Sequence, residues 1–289
     1  MLEEHDWSPD VTRSTRKEMR NEVPGPGRVI GLLVLLLGVF LVLDGLFAVL
    51  GQHGLELPAS LVLLTELTCG WSLVFYLASR SSDSPLREMC MLKPAHPKPI
   101  LGATAIGLGL SLTILSLVTW IPAPAPETAV RLNEQLRATA QVPLMVALLV
   151  VGPIAEEMFF RGWVLRGWRE RYGVRRAVLG TALLFGFVHV LSWQILVAFP
   201  LGLLLGWVVI KTDSVIPAIL GHVGANASPR CIDPILYISG YSEDQINAIE
   251  HVPLFVPLIG LTVLLCGVTV IATSGVRSSG THMKEIPKA

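Results

Sequence analysis

Runs of about twenty apolar residues, broken by short charged stretches, leave this chain few folds to choose from. A bilayer hydrocarbon core is about 30 Å thick and takes roughly 20 apolar residues per helix, with about 17–25 tolerated. That ruler gives about eight runs, at 29–50, 57–78, 100–121, 142–165, 177–191, 195–210, 215–227 and 253–272. The fifth, sixth and seventh are short and hold polar residues, so they are the weakest as separate spans. Composition points the same way. Hydrophobic residues are 52% of the 289 and charged residues only 15%, against about 25% charged in an ordinary soluble domain. Lipid offers no partners for backbone polar groups, so an apolar chain of this kind must satisfy them within helices or a closed barrel. Runs of this length are too long for barrel strands. The expectation is an all-α, polytopic transmembrane helical bundle.

Charge placement orients the bundle. Arg13, Arg16, Lys17, Arg20 and Arg28 precede the first run, and Arg80, Arg87, Lys93 and Lys98 follow the second. Arg166, Arg169, Arg171, Arg175 and Arg176 follow the fourth, Lys211 the sixth, and Arg277, Lys284 and Lys288 the last. The alternate connections carry few positive charges. Because Lys and Arg concentrate on the cytoplasmic side, both termini are expected there, as an even span count requires. The expected division is a polar tail over 1–27 ahead of a retained signal-anchor, a transmembrane domain over 28–273 whose core at 142–227 holds the polar residues taken up next, and a polar tail over 274–289. The formal net charge is zero and no basic patch is interleaved with aromatics, which argues against a nucleic-acid partner. Cys69, Cys90, Cys231 and Cys266 show neither disulfide nor zinc-knuckle spacing.

Ionisable residues at bilayer depth cost roughly 2.5–3.5 kcal/mol each by insertion scales, so they need partners or a wet cavity. Three runs hold a set of them. The fourth reads VVGPIAEEMFFRGW with Glu156, Glu157 and Arg161; the fifth reads LLFGFVHV with Phe185 and His189; the seventh reads IPAILGHVGAN with His222 and Asn226. At 1.5 Å per residue, Glu156 lies about 15 Å from Arg166, His189 about 20 Å from Arg176, and His222 and Asn226 about 12 and 18 Å from Ser214. These depths overlap. Glu157 and Arg161 stand four apart with the acid first, the favourable order for a helical ion pair. Glu156 is turned about 100° from Glu157, so one carboxylate can be held while the other faces a cavity. Gly152-Pro153 is positioned to kink the helix beside Glu156. Asp44 and Glu66 are isolated and read as facing a neighbouring helix. The Gly202–Gly206 spacing permits close helix approach.

These segments resemble the signature of the CAAX prenyl protease and bacteriocin-processing family, formerly the Abi family: EExxxR, FxxxH and HxxxN on successive membrane helices. The resemblance covers roughly 142–226, about a third of the chain. It implies an intramembrane endopeptidase with a glutamate-dependent mechanism. Glu156 would be the general base for a water also held by His189, and His222 with Asn226 would stabilise the oxyanion. Glu157, Arg161 and Phe185 would support them. No cofactor or metal is expected, although two histidines and a carboxylate also form a legitimate zinc set. The implied partners are the lipid bilayer and a membrane-embedded or lipid-anchored peptide or protein. That substrate would be cut near its C-terminus or in a sorting tag. Residue usage suits a bacterial cytoplasmic membrane. A non-catalytic immunity or scaffold protein, a zinc-dependent membrane protease and a proton-coupled transporter are the competing readings.

Overall fold

The structure is a computed structural model that describes residues 24–80, 84–121, 141–189 and 192–274. The tails expected at 1–27 and 274–289 fall almost wholly outside the described residues, as does the Pro-rich connection after the third run.

Each of the eight apolar runs forms the body of a helix, and the described residues contain no strand. Helix α1 (Pro26–Gln52) opens with proline in its first turn, where the missing N–H costs nothing. It folds back through a short turn into α2 (Ala59–Ser79). A brief α3 (Leu86–Met89) leads to α4 (Pro97–Val118). Helix α5 runs unbroken over Val142–Tyr172. Gly173, at φ 81, turns the chain directly into α6 (Val174–Val188); a side chain there would meet the left-handed penalty. Helices α7 (Ser192–Thr212) and α8 (Ile216–Ala227) come next. A tight turn then leads through α9 (Ile232–Ile238) and α10 (Glu243–Asn247) to α11 (Phe255–Thr273).

Six of these, α1, α2, α4, α5, α7 and α11, are long and apolar enough to cross a membrane. The fifth and seventh runs are different. α6 has 15 residues and α8 has 12, lengths of about 22 and 18 Å, short of a 30 Å core.

Small residues set the helix crossings. A Cβ built on Gly107 of α4 would lie 1.7 Å from the Gly221 carbonyl oxygen of α8, and one on Gly109 would lie 2.5 Å from Gly260 O of α11. The same holds at Gly224 against Thr104 O (2.7 Å) and Gly267 against Gly102 O (2.6 Å). Helix backbones therefore touch, the packing that lipid favours because dispersion and close approach replace the hydrophobic drive. Gly202 and Gly206 let α7 lie on Ala182 and Val178 of α6, as their spacing suggests. The tightest seam, however, runs along α4. By contrast α1 buries only Val29, Leu32 and Leu36 and turns Leu37, Leu41, Val42 and Val49 outward. That is the face a lipid-exposed helix presents.

Candidate active site

Helix α5 is not uniformly α-helical, and its irregularity shapes the site. Residues Ala147–Val151 and Met158–Val164 are π-helical, with i→i+5 hydrogen bonding. Proline explains the first stretch. The Gly152 N–H bonds to Ala147 O, five residues back, instead of to Leu148 O. The next donor that could reach Leu148 O is the backbone nitrogen of residue 153, which is proline and has no hydrogen. The Leu148 carbonyl is thus released from the ladder. Asn226 Nδ2 donates to it at 2.8 Å. A π-turn of this kind is a recurrent feature of functional sites, and here it ties α8 to α5.

One turn further on, Glu157 and Arg161 form the expected ion pair. Arg161 Nη1 donates to Glu157 Oε1 at 2.9 Å and both side chains are fully buried. The same oxygen accepts a second bond, 2.9 Å long, from His222 Nδ1 on α8. The Arg161 guanidinium also lies 4.0 Å from the ring centroid of Phe185, a cation–π contact worth up to about 2 kcal/mol when desolvated. Phe185 is the hub of the cluster. Its ring meets His189 edge-to-face at 4.7 Å and His222 at 5.7 Å, and its carbonyl is 2.8 Å from His189 Nδ1.

These contacts fix ring tautomers. A carbonyl only accepts, so His189 must carry its hydrogen on Nδ1, which leaves Nε2 for another partner. The Glu157 carboxylate likewise claims the Nδ1 hydrogen of His222, with the same consequence. His189 itself closes α6 at φ −84, ψ 87, already out of helical geometry.

Burial divides the set. Glu157, Arg161, Phe185 and His222 are at most 4% exposed, whereas Glu156, His189 and Asn226 are half-buried. The first group is sealed in the interior and the second stays partly open to its surroundings. Glu156 makes no hydrogen bond to the others, and its Oε2 is buried without a hydrogen-bond partner. Three more polar atoms beside it, Glu157 Oε2, Arg161 Nε and Arg161 Nη2, are buried and unpartnered too. Arg161 therefore retains donor capacity next to both carboxylates. Among the described residues no group of three or more His, Cys, Asp or Glu side chains is placed to hold a metal ion.

All seven residues singled out from sequence lie in or beside this cluster. Leu148, Pro153 and Gly202 had not been assigned to it. A Cβ on Gly202 would lie 3.0 Å from Ala182 Cα and 3.4 Å from Arg161 Nη2, so this glycine lets α7 approach α6 closely beside the guanidinium. The GP dipeptide was visible as a kink signal; the π-turn it produces was not.

Residues 138–228, which hold all three motif segments, match the family described as Type II CAAX prenyl endopeptidase Rce1-like. No curated protein and no solved structure matches the chain.

Proposed function

We propose that this protein is an intramembrane endopeptidase that uses Glu156 as its general base. The observation that carries the reading is the convergence of three sequence-distant segments. The bond from His222 to Glu157 and the ring contacts of Phe185 with both histidines join α5, α6 and α8 beside an unpartnered Glu156 carboxylate oxygen. The Rce1-like match over the same segments supports it.

In this account a water lies between Glu156 and His189 Nε2. Glu156 takes one of its protons as the oxygen bonds to the scissile carbonyl carbon, and the carbonyl π electrons move to oxygen. In this reading two groups stabilise that developing charge, His222 through Nε2 and Asn226 through its second amide hydrogen. Donors aimed in advance at charge that appears only in the transition state are usually the largest catalytic contribution. Glu156 then returns its proton to the amide nitrogen as the C–N bond breaks, the two-way transfer that general acid–base catalysis requires. Glu157, Arg161 and Phe185 act through the groups they hold. The mechanism needs no metal.

The substrate in this reading is a membrane-embedded or lipid-anchored peptide or protein, cut near its C-terminus or in a sorting tag. The enzyme sits in a bacterial cytoplasmic membrane with both termini inside. Comparative proteomics of a deletion strain, complemented with wild type or with Glu156→Gln, tests the proposal. Peptides that persist uncut in the deletion and in the Glu156→Gln strain, but not with wild type, are the expected result. Equal processing by Glu156→Gln would leave the polar network a structural device.

A further inference from the structure

Asp44 and Glu66, the two acids inside apolar runs that the catalytic reading leaves unused, meet across the α1–α2 hairpin. Their carboxyl groups lie within hydrogen-bonding reach of each other. Both open on a cavity of about 420 Å³ whose lining includes Phe47, Glu56, Leu57 and Val62. Glu66 is only 7% exposed, and its Oε1 is buried with no hydrogen-bond partner. No Lys, Arg or His lines the cavity. Asp44 lies about 12 Å back along α1 from Gln52, and Glu66 about 10 Å along α2 from Ala59, below the helix ends.

Acids at that depth are costly without a counter-charge, and two carboxylates in contact cannot both stay ionised unless a cation sits with them. The walls restrict which cation. Ca2+ and Mg2+ ask for six or more oxygen ligands, and among the described residues no group of three or more His, Cys, Asp or Glu side chains is placed to hold a metal ion. The cavity instead combines the Asp44–Glu66 pair, and Glu56 elsewhere in its lining, with Phe47 and aliphatic surface. That combination suits a charged head on a methylene stem, as in side chains that bury the stem and keep the head paired, with the Phe47 ring available for a cation–π contact.

We propose that this cavity binds a primary ammonium or guanidinium group carried on an apolar stem, with Asp44 and Glu66 as its acceptors. Two sources share that chemistry: a basic side chain on a membrane-inserted peptide, and the amine of a lipid headgroup. The site is separate from Glu156. None of the residues lining the cavity belongs to the Glu156 cluster.

The test uses the full chain in phosphatidylcholine nanodiscs at fixed ionic strength and reads the Tm by tryptophan fluorescence. The chain is titrated with n-hexylammonium chloride, with n-hexanol as the uncharged control. Wild type should show a saturable rise in Tm that hexanol does not give. Asp44→Asn and Glu66→Gln should each move the midpoint at least about tenfold higher, the loss expected for one charge-assisted acceptor. Should Glu66→Gln fail to fold, Asp44→Asn, at an exposed position, carries the comparison alone. Competition by a lysine-bearing helical peptide over its norleucine counterpart assigns the source to protein. A blunted response in discs containing phosphatidylethanolamine assigns it to lipid. Variants that titrate like wild type, a hexanol response equal to that of hexylammonium, or competition by neither source would overturn the proposal and leave a proton-sharing acid pair.

Discussion

His222 Nδ1 donates to Glu157 Oε1 across 2.9 Å, so the second glutamate of the pair, and not the first, joins α5 to α8. That oxygen also holds Arg161. One carboxylate thus serves a fully buried guanidinium and an imidazole, and Glu156 is left with an unengaged oxygen. The division of labour within the EE pair comes from a rotation of about 100° between consecutive helical residues.

Removing that carboxylate should be worse than removing the whole pair. Glu157→Gln leaves Arg161 charged and buried without its counter-ion, and breaking such a pair costs about 3–5 kcal/mol. The double change Glu157→Leu with Arg161→Met should recover most of that stability while catalysis stays lost. A double-mutant cycle on thermal unfolding in nanodiscs checks it; equal destabilisation by the single and double variants would contradict a buried charge pair.

Pro153→Ala supplies the backbone N–H that Leu148 O lacks. The backbone can then satisfy this carbonyl itself, and Asn226 loses the acceptor that aims it. The expected outcome is a protein at least as stable as wild type, since proline in a helix interior costs about 3 kcal/mol, with turnover reduced roughly 10–100-fold. Tm and kcat measured together separate this from simple misfolding. A variant with wild-type turnover would show that the π-turn does not position Asn226.

The α4 seam predicts a sharp contrast between glycines. Gly107→Ala places a methyl group on the Gly221 backbone, where nothing flexible can yield. The loss should exceed the usual 1–3 kcal/mol of overpacking. Gly45 in α1 has nothing within 4 Å of a built Cβ, so Gly45→Ala should be neutral or stabilising by up to about 1 kcal/mol. Thermal unfolding of the two variants compares them directly.

Cys90 lies between α3 and α4, outside the membrane-spanning helices. Burial pushes its thiol up to about 12, against a smaller opposing pull from Arg166. The thiolate is the reactive form, so Cys90 should resist maleimide at pH 7.5 in the folded protein and react once SDS unfolds it. Below about pH 9 the thiol is protonated in both states and contributes no pH dependence. Between the unfolded value of 9.0 and the folded value of about 12, the unfolded chain binds fewer protons. Stability then falls as pH rises, by at most about 1.4 kcal/mol per unit. Cys90→Ala should remove that slope.

The apolar runs and the three motif segments were legible from residue order alone, because bilayer thickness and the 3.6-residue turn translate directly into spacing. Glu157–Arg161 was legible for the same reason, both partners lying on one helix. The His222–Glu157 bond was not, since it depends on how α8 is rotated against α5. Nor was the bond from Asn226 to Leu148, because it requires a carbonyl that only a π-turn releases. The shortness of α6 and α8 was legible too, in the short runs at 177–191 and 215–227 and the polar residues inside them. Asp44 and Glu66 looked solitary because their meeting depends on the register of the α1–α2 hairpin.

The central claim is that Glu156 activates a water for attack on an amide. The most direct measurement is single-turnover cleavage by the purified protein in nanodiscs, using the processed substrate identified in cells and solvent enriched in 18O. Wild type should place one solvent oxygen in the new C-terminal carboxylate. Glu156→Gln, with an unchanged Tm, should be slower by about 10²–10⁴-fold, the range for loss of a general base. Turnover by Glu156→Gln within a few-fold of wild type would contradict the account.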